Sequence, residues 1–494
     1  MVSTIKHLIG GQFESGIGVS LQSISPSTET VIGAGIDASI NQVRRSVMDA
    51  KQSFLKWREY SLSDRYRFLQ NYQHCLESEK EVLASLISEE MGKPIWEARL
   101  EVSAMIKKID ISYQAYQERC PMRRVSLSVG ESVVRHAPHG VLVVMGPFNF
   151  PGHLPNGHII PALLAGNTVV FKPSEYTPLV GQKLGELLMK SGVPPGVVNI
   201  VHGGRRVGKY LVEMPDISGV LFTGSSTTGR YLSSYFGKRS DKLLALEMGG
   251  NNALIVDEFE SIDAAAWVVI SSAFLTSGQR CTAARRLIMM DTPQNRLLMD
   301  RVVEWTGQLR IGPGSDDAVF MGPLINSQIC DDIELFQSQL QLMGGVSLLA
   351  LERVSGKGFF VTPGIMDVSG ISKSFDEELF GPFLQVIWVT SMDEAIKRAN
   401  QTRFGLSVSI ITKKKSVYDV VRDQLHVGLV NWNMPTNGAS SMAPFGGVGW
   451  SGNFRPSAYY AADYCAYPVS SMESAKCQLP SSLPPGVDLL SSNL

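Results

Sequence analysis

Only six of the 494 residues are cysteine (Cys75, Cys120, Cys281, Cys330, Cys465 and Cys477), and no two form a CxxC pair. A zinc ribbon and a disulfide framework are therefore both excluded as organising devices. The eight histidines include no HExxH, and His153 and His158 are five apart, which does not put two ligands on one helical face. No metal site is expected. Neither sign of charge is in excess: 45 Lys and Arg stand against 46 Asp and Glu, for a formal net charge of −1. Such a balance argues against a general binder of nucleic acid or anionic membrane. No apolar run approaches the roughly 20 residues that span a bilayer. The opening stretch MVSTIKHLIGGQFESG holds only Leu8 and Ile9 as an apolar pair and no signal-peptide core. The expectation is a soluble, cytoplasmic protein.

What is present is the composition of a well-packed globular chain, 44% hydrophobic and 18% charged with 46 Gly and 25 Pro. At roughly 150 residues per domain the length predicts two or three domains. Apolar residues at three- and four-residue spacing predict helices through 41–118, with a start at Ser63 and Asp64 and a break at Gly92 to Pro94. From 141 the period changes. VLVVMG (141–146), TVVFK (168–172), VVNIVHG (197–203), GVLFTG (219–224) and LLALEMG (243–249) alternate with helix-compatible stretches. This predicts a doubly wound parallel α/β sheet whose ligand lies beyond the carboxyl ends of its strands. A second alternating set, from NALIVD (252–257) to LSVSIIT (406–412), predicts a second α/β domain. MRRVSLSVGESVVRHAPHG (122–140) reads as an exposed hairpin, which alone is unstable and needs a partner, such as another subunit.

Several polar residues sit at the predicted ligand edge. Asn149 follows the first strand and either donates its amide to an oxyanion or caps the next helix. Lys172 and Glu175 end the next strand, where both can hydrogen-bond a ribose or simply pair with each other. A carboxylate there repels a 2′-phosphate and favours NAD over NADP. FTGSSTTG (222–229) is a strand, a glycine turn and a helix start, able to hold a pyrophosphate. Glu247 ends the last strand before two glycines, as a general base or a plain salt-bridge carboxylate. Cys281 lies among Arg280, Arg285 and Arg286, an electropositive setting that would favour a thiolate, although one cysteine in six is usually a buried apolar residue. Glu378 precedes a Phe-Gly-Pro turn.

FNFP, KPSE, FTGS, LEMGG, GQRC, EELFGP and APFGG occur in one order and register, and with them the chain resembles the NAD(P)-dependent aldehyde dehydrogenase superfamily from about residue 5 to 480. Within it, FNFPGHLPNGHIIPALLAGNTVVFKPSE, LALEMGGNN, FLTSGQRCTAARRL and NFRPSAYYAADYCAYP are similar to the N-succinylglutamate 5-semialdehyde dehydrogenases of bacterial arginine catabolism. Ala253, Ala283, Met434 and Phe454 stand where such relatives more often carry Pro, Cys, Lys and His. The resemblance implies Cys281 as nucleophile, Glu247 as general base and Asn149 as oxyanion donor. It implies Lys172 and Glu175 on the adenine ribose, and Gly224, Ser225, Ser226, Thr227, Thr228 and Gly229 along the pyrophosphate. Glu378 would hold the nicotinamide ribose with Phe380 packed near it. The cofactor would be NAD, bound by 1–121 and 141–247, with 248–446 catalytic and 122–140 and 464–490 as oligomerisation strands of a homo-oligomer. Two substrate carboxylates would need cations, for which Lys108, Arg285 (or Arg286) and Arg455 are the candidates. The alternatives are another aldehyde, transfer of the acyl group to CoA, and a scaffold that has lost catalysis.

Overall fold

The computed structural model describes residues 2–371, 375–479 and 482–487. The apolar spacing of 41–118 is realised as four helices, Ile40–Trp57, Leu62–Ser78, Lys80–Met91 and Ile95–Arg119. The second begins earlier than expected: Ser61, not Ser63, accepts the Asp64 amide. The third ends at Gly92 in the left-handed conformation, and Pro94 opens the fourth.

The first alternating set forms parallel strands Val141–Met145, Thr168–Lys172, Val198–Ile200, Gly219–Gly224 and Leu243–Met248. Strands His7–Ile9 and Gln12–Glu14 complete this seven-stranded sheet at one edge, His7–Ile9 running antiparallel to Val198–Ile200. The Val141–Met145 strand shows why these runs are continuously apolar. Leu142 and Val144 enter one core cluster, while Val141, Val143 and Met145 enter another on the opposite face. Each such burial stabilises by roughly 1.5–3 kcal/mol. Val141–Met145 has the next strand in sequence, Thr168–Lys172, on one side and the later Gly219–Gly224 on the other. The chain direction therefore diverges there, opening a crevice beyond their carboxyl ends.

The second set forms another seven-stranded sheet, with the order Val346–Leu349, Gly364–Asp367, Phe383–Val389, Ala284–Met290, Asn252–Val256, Ser407–Ile411 and Leu429–Trp432. Only Val346–Leu349 runs antiparallel to its neighbour. The predicted hairpin forms as Arg123–Ser126 and Glu131–Pro138, and its partner is the strand Ala466–Glu473 of the same chain. Of the expected oligomerisation stretch 464–490, residues 464 and 465 end a short helix, and 480–481 and 488–490 lie outside the described residues. The N-terminal strands Ser20–Ile24 and Val31–Ile36, with Ser3–Thr4, form a small sheet that the periodicity did not announce. Among the described residues no helix is long and apolar enough to cross a membrane.

Candidate active site

One helix gathers the loops that bear the polar residues. Glu97 and Glu101, one turn apart on Ile95–Arg119, are both buried. Glu101 accepts from the amides of Gly152 and His153, at 2.9 and 3.0 Å, and pairs with the buried Lys93 at 2.7 Å. Glu97 accepts from the Thr276 amide and hydroxyl and pairs with Arg280 at 2.6 Å. The first carboxylate anchors the loop after Asn149, and the second anchors the loop before Cys281. That second loop is strained: Thr276 and Ser277 hold φ of 55° and 54°. Strain of this kind persists only where surroundings over-determine it. Here Glu97 clamps Thr276, and Ser277 donates to the Gly322 carbonyl at 2.7 Å. Gly278 follows with φ 68°, and a Cβ on it would lie 2.2 Å from the Gly381 carbonyl oxygen.

Cys281 emerges partly accessible from this turn. Its carbonyl accepts from Asn252 Nδ2 at 2.7 Å. Asn149, also buried, donates one amide hydrogen to the Gln279 carbonyl at 2.9 Å, which leaves the second for a ligand beside Cys281. It caps no helix; the helix His153–Ala165 starts from Gly152. Asn149→Ala is expected to lower kcat by about 10²–10³-fold with little change in coenzyme affinity, as steady-state kinetics and coenzyme titration would show.

Glu247 is buried, and neither of its carboxylate oxygens has a hydrogen-bond partner among the described residues. Burial pushes its pKa up to about 8, a rise moderated by the nearby Cys281 thiol and Thr223 hydroxyl. Burial, Glu247 and Glu378 together hold the Cys281 thiol well above its usual range. The expected electropositive surrounding is therefore not what the fold supplies. Arg280 points to Glu97. Arg285 is buried and donates to the carbonyls of Gly381 and Arg280, and Arg286 donates to those of Asn251, Arg398 and Ala399. Two carboxylates, a thiol and an amide donor thus converge where the crevice opens.

A model of the aldehyde dehydrogenase family matches residues 14–468. The chain belongs to the aldehyde dehydrogenase family. It is 47% identical over 484 residues, 98% of this chain and 99% of the other, to an N-succinylglutamate 5-semialdehyde dehydrogenase of Ectopseudomonas mendocina (strain ymp). It is 46% identical over 481 residues, 97% of this chain and 98% of the other, to the Escherichia coli (strain K12) protein of the same name. An NAD+ complex structure of aldehyde dehydrogenase from Bacillus cereus superimposes with a TM-score of 0.90 at 28% identity, covering 96% of this chain and 97% of that one.

In this family member the remaining predicted residues separate into those the fold brings to the crevice and those it does not. Ser225 caps the helix Ser226–Phe236, accepting from the Thr228 amide and donating to the Thr228 hydroxyl. Ser226 and Thr227 open that helix, so its N-terminal amides face the crevice with the positive end of the helix dipole. Gly229 lies one turn further in and is buried; a Cβ there would meet Met248 Sδ at 2.0 Å. Glycine there lets the helix pack close against Met248. Lys172 donates to the carbonyls of Pro173 and Gly203, both at 2.9 Å, and stands 3.5 Å from Glu175. Glu378 Oε1 accepts the Gly250 amide at 3.2 Å, and a Cβ on Gly249 would lie 1.8 Å from its Oε2, so glycine lets the carboxylate sit against the main chain there. Burial raises the Glu378 pKa to about 7, opposed by Arg285. Phe380 packs edge-on against Phe148, with centroids 5.6 Å apart.

The three substrate cations fare differently. Lys108 is buried, its amine has no hydrogen-bond partner among the described residues, and burial lowers its pKa to about 8. Arg285 is buried, its two terminal nitrogens donate to the carbonyls of Gly381 and Arg280, and its Nε has no hydrogen-bond partner among the described residues. Arg455 is exposed. The segment carrying it runs antiparallel along Leu243–Met248, with Gly452 opposite Glu247 and Asn453 bonded to Leu246 and Leu244. Arg455 is thus directed toward the start of that strand, away from the edge where Cys281 lies. Met434 and Phe454 are exposed as well.

Residues that the motifs did not single out complete the site. His158 Nε2 lies 3.0 Å from Thr223 Oγ1, and His158 Nδ1 lies 2.9 Å from the Tyr464 hydroxyl. No local signal marks them, because the partners are 65 and 306 residues apart.

Proposed function

We propose that this chain oxidises N-succinyl-L-glutamate 5-semialdehyde to N-succinyl-L-glutamate with NAD, as a step of arginine degradation. The convergence of Cys281, Glu247 and Asn149 at one crevice carries the reaction. Relatives of that name at near full length, together with the unpaired buried amine of Lys108, support the substrate.

The residues fit NAD. The Ser225-capped helix start suits a pyrophosphate, Glu175 beside Lys172 suits a ribose without a 2′-phosphate, and Glu378, near Cys281, with Phe380 suits the nicotinamide ribose. When bound, NAD supplies an acceptor for the aldehyde hydride. Residues 1–121 and 141–247 hold the coenzyme, and 248–446 supply the nucleophile. Cys281 sulfur adds to the aldehyde carbon and its proton passes to Glu247. The oxygen, now negative, accepts from the free Asn149 amide hydrogen and the Cys281 N–H. Oxidation of that carbon leaves the acyl group on Cys281 as a thioester. Glu247 gives that first proton to solvent and then takes one from water attacking the carbonyl; this second proton passes to the departing sulfur as the acid leaves and the thiol re-forms.

Lys108 pairs with a substrate carboxylate in this reading. A panel of semialdehydes with and without carboxylates, compared by kcat/KM with NAD and with NADP, tests it. The dicarboxylate with NAD is expected to lead; a neutral aldehyde in first place would overturn the assignment. Lys108→Met is expected to raise KM for the dicarboxylate by roughly tenfold or more and to leave a neutral aldehyde unaffected. The pH dependence follows from two groups of opposite sign. Glu247 is a carboxylate only above about 8, so kcat/KM rises with pH through that region. Lys108 is an ammonium only below about 8, so anion binding weakens above it. The dicarboxylate therefore gives a bell centred near pH 8 and a neutral aldehyde gives only a rise. Persistence of the alkaline fall in Lys108→Met would remove Lys108 from the pocket.

The three-stranded sheet exposes Val125 and Met472, and the turn between its first two strands exposes Val129, which supports a homo-oligomer built on that surface. A solution mass equal to the 54.0 kDa chain would contradict it.

A further inference from the structure

Two carboxylates, two residues apart, hold the turn that follows Glu247. Glu378 Oε1 accepts the Gly250 amide at 3.2 Å, and Asp376 Oδ1 accepts from Asn251 Nδ2, also at 3.2 Å. Glu377 between them is exposed. The segment 376–378 therefore lies along 249–251 and grips it at two consecutive residues. No step of the reaction uses Asp376.

Asp376 is the more firmly anchored of the two. Its carboxylate also accepts from the Thr402 hydroxyl, and from the Arg403 amide and Nε at 2.8 and 2.9 Å. Its carbonyl accepts from a terminal nitrogen of Arg403 at 2.8 Å. These partners are themselves fixed. The Arg403 guanidinium lies 3.9 Å from the centroid of the Trp450 ring, and the Arg403 carbonyl accepts the Trp450 amide at 2.8 Å. The Asn251 carbonyl accepts from Arg286 Nε at 3.0 Å and from a terminal nitrogen at 2.7 Å. Burial works against the Asp376 charge, but the Thr402 and Arg403 donors outweigh it and keep the pKa below its ordinary value. Glu378 has only the Gly250 hydrogen bond among the described residues.

We infer that Asp376 is a positioning residue: it ties the chain two residues before Glu378 to the 249–251 and 402–403 turns, and so sets where Glu378 meets the nicotinamide ribose. A carboxylate offers about four lone-pair sites, and Asn251, Thr402 and the two Arg403 donors use that capacity. Asp376 is left to act through Glu378 and not on the coenzyme directly. The inference rests on the proposed role of Glu378. In that reading the adenine end of NAD is held by Lys172, Glu175 and the helix start at Ser226, and none of these bonds to Asp376. Loss of the anchor should therefore weaken one half of the coenzyme site and spare the other.

Equilibrium titration of the full chain with NAD and with ADP, followed by calorimetry, tests this. ADP carries the adenine ribose and the diphosphate but no nicotinamide half. Asp376→Asn keeps the shape, removes the charge and turns one acceptor into an NH2 that faces donors. It is expected to weaken NAD binding by roughly tenfold, the scale of one hydrogen bond to a charged group, and to leave ADP binding unchanged. Thr402→Val withdraws a single donor and should shift NAD binding the same way by less, and Thr402→Ser should restore it. In a Glu378→Gln background Asp376→Asn should add little, because the group it positions is already disabled. Unchanged NAD binding in Asp376→Asn, the same tenfold loss in the Glu378→Gln background, or equal losses of NAD and ADP in Thr402→Val would overturn the inference. Unchanged NAD binding in Glu378→Gln alone would instead overturn the reading of Glu378, and the inference with it.

Discussion

Glu247→Gln is expected to give its one equivalent of NADH slowly, because the Cys281 proton must then leave to solvent, and then to stall. The amide matches the carboxylate in shape, so the packing around this buried side chain persists, yet it cannot take a proton from water. Turnover should fall by about 10²–10⁴-fold. The acyl group should remain on Cys281 as a mass increment on the intact chain, and adding hydroxylamine, which needs no base to attack a thioester, should release it. The absence of hydrogen bonds to both Glu247 oxygens is what makes this a clean experiment. Steady NADH production at the wild-type rate would show that another group activates water.

Cys281→Ala should lower aldehyde oxidation by more than roughly 10⁴-fold, the scale seen when a nucleophile is removed. Coenzyme binding, followed by fluorescence titration, should be unchanged or tighter. The fold anchors this position through its main chain, by Asn252 to the Cys281 carbonyl, and not through sulfur. Alanine therefore leaves the turn intact. It also removes the group whose pKa Glu247 and Glu378 raise, so the loss is chemical and not structural. Retained NADH formation would exclude the covalent route.

Much of the site was legible in the sequence for a physical reason. Residues that end strands and open helices announce themselves locally, through an apolar run that stops at glycine. Glu247 before Gly249, Ser225 after Gly224 and Asn149 after Gly146 all follow this rule, and all stand at the crevice. The nucleophile was legible only through resemblance. Its neighbours in sequence, Arg280, Arg285 and Arg286, suggested a positive environment, and the fold turns every one of them elsewhere.

By itself, the sequence determined the two alternating sheets, the crevice between strands that diverge from Val141–Met145, and which polar side chains end strands beside it. These depend on periodicity and on turns, which act over a few residues. The tertiary structure alone decided which charges remain unpaired and which protons point where. Arg285 donates to carbonyls 96 and 5 residues away yet keeps Nε unpaired, Lys108 is left without a partner, and His158 reaches Thr223 and Tyr464 across 65 and 306 residues. A hydrogen bond acts over about 3 Å and is indifferent to separation along the chain, so its partners exist only once the chain has folded.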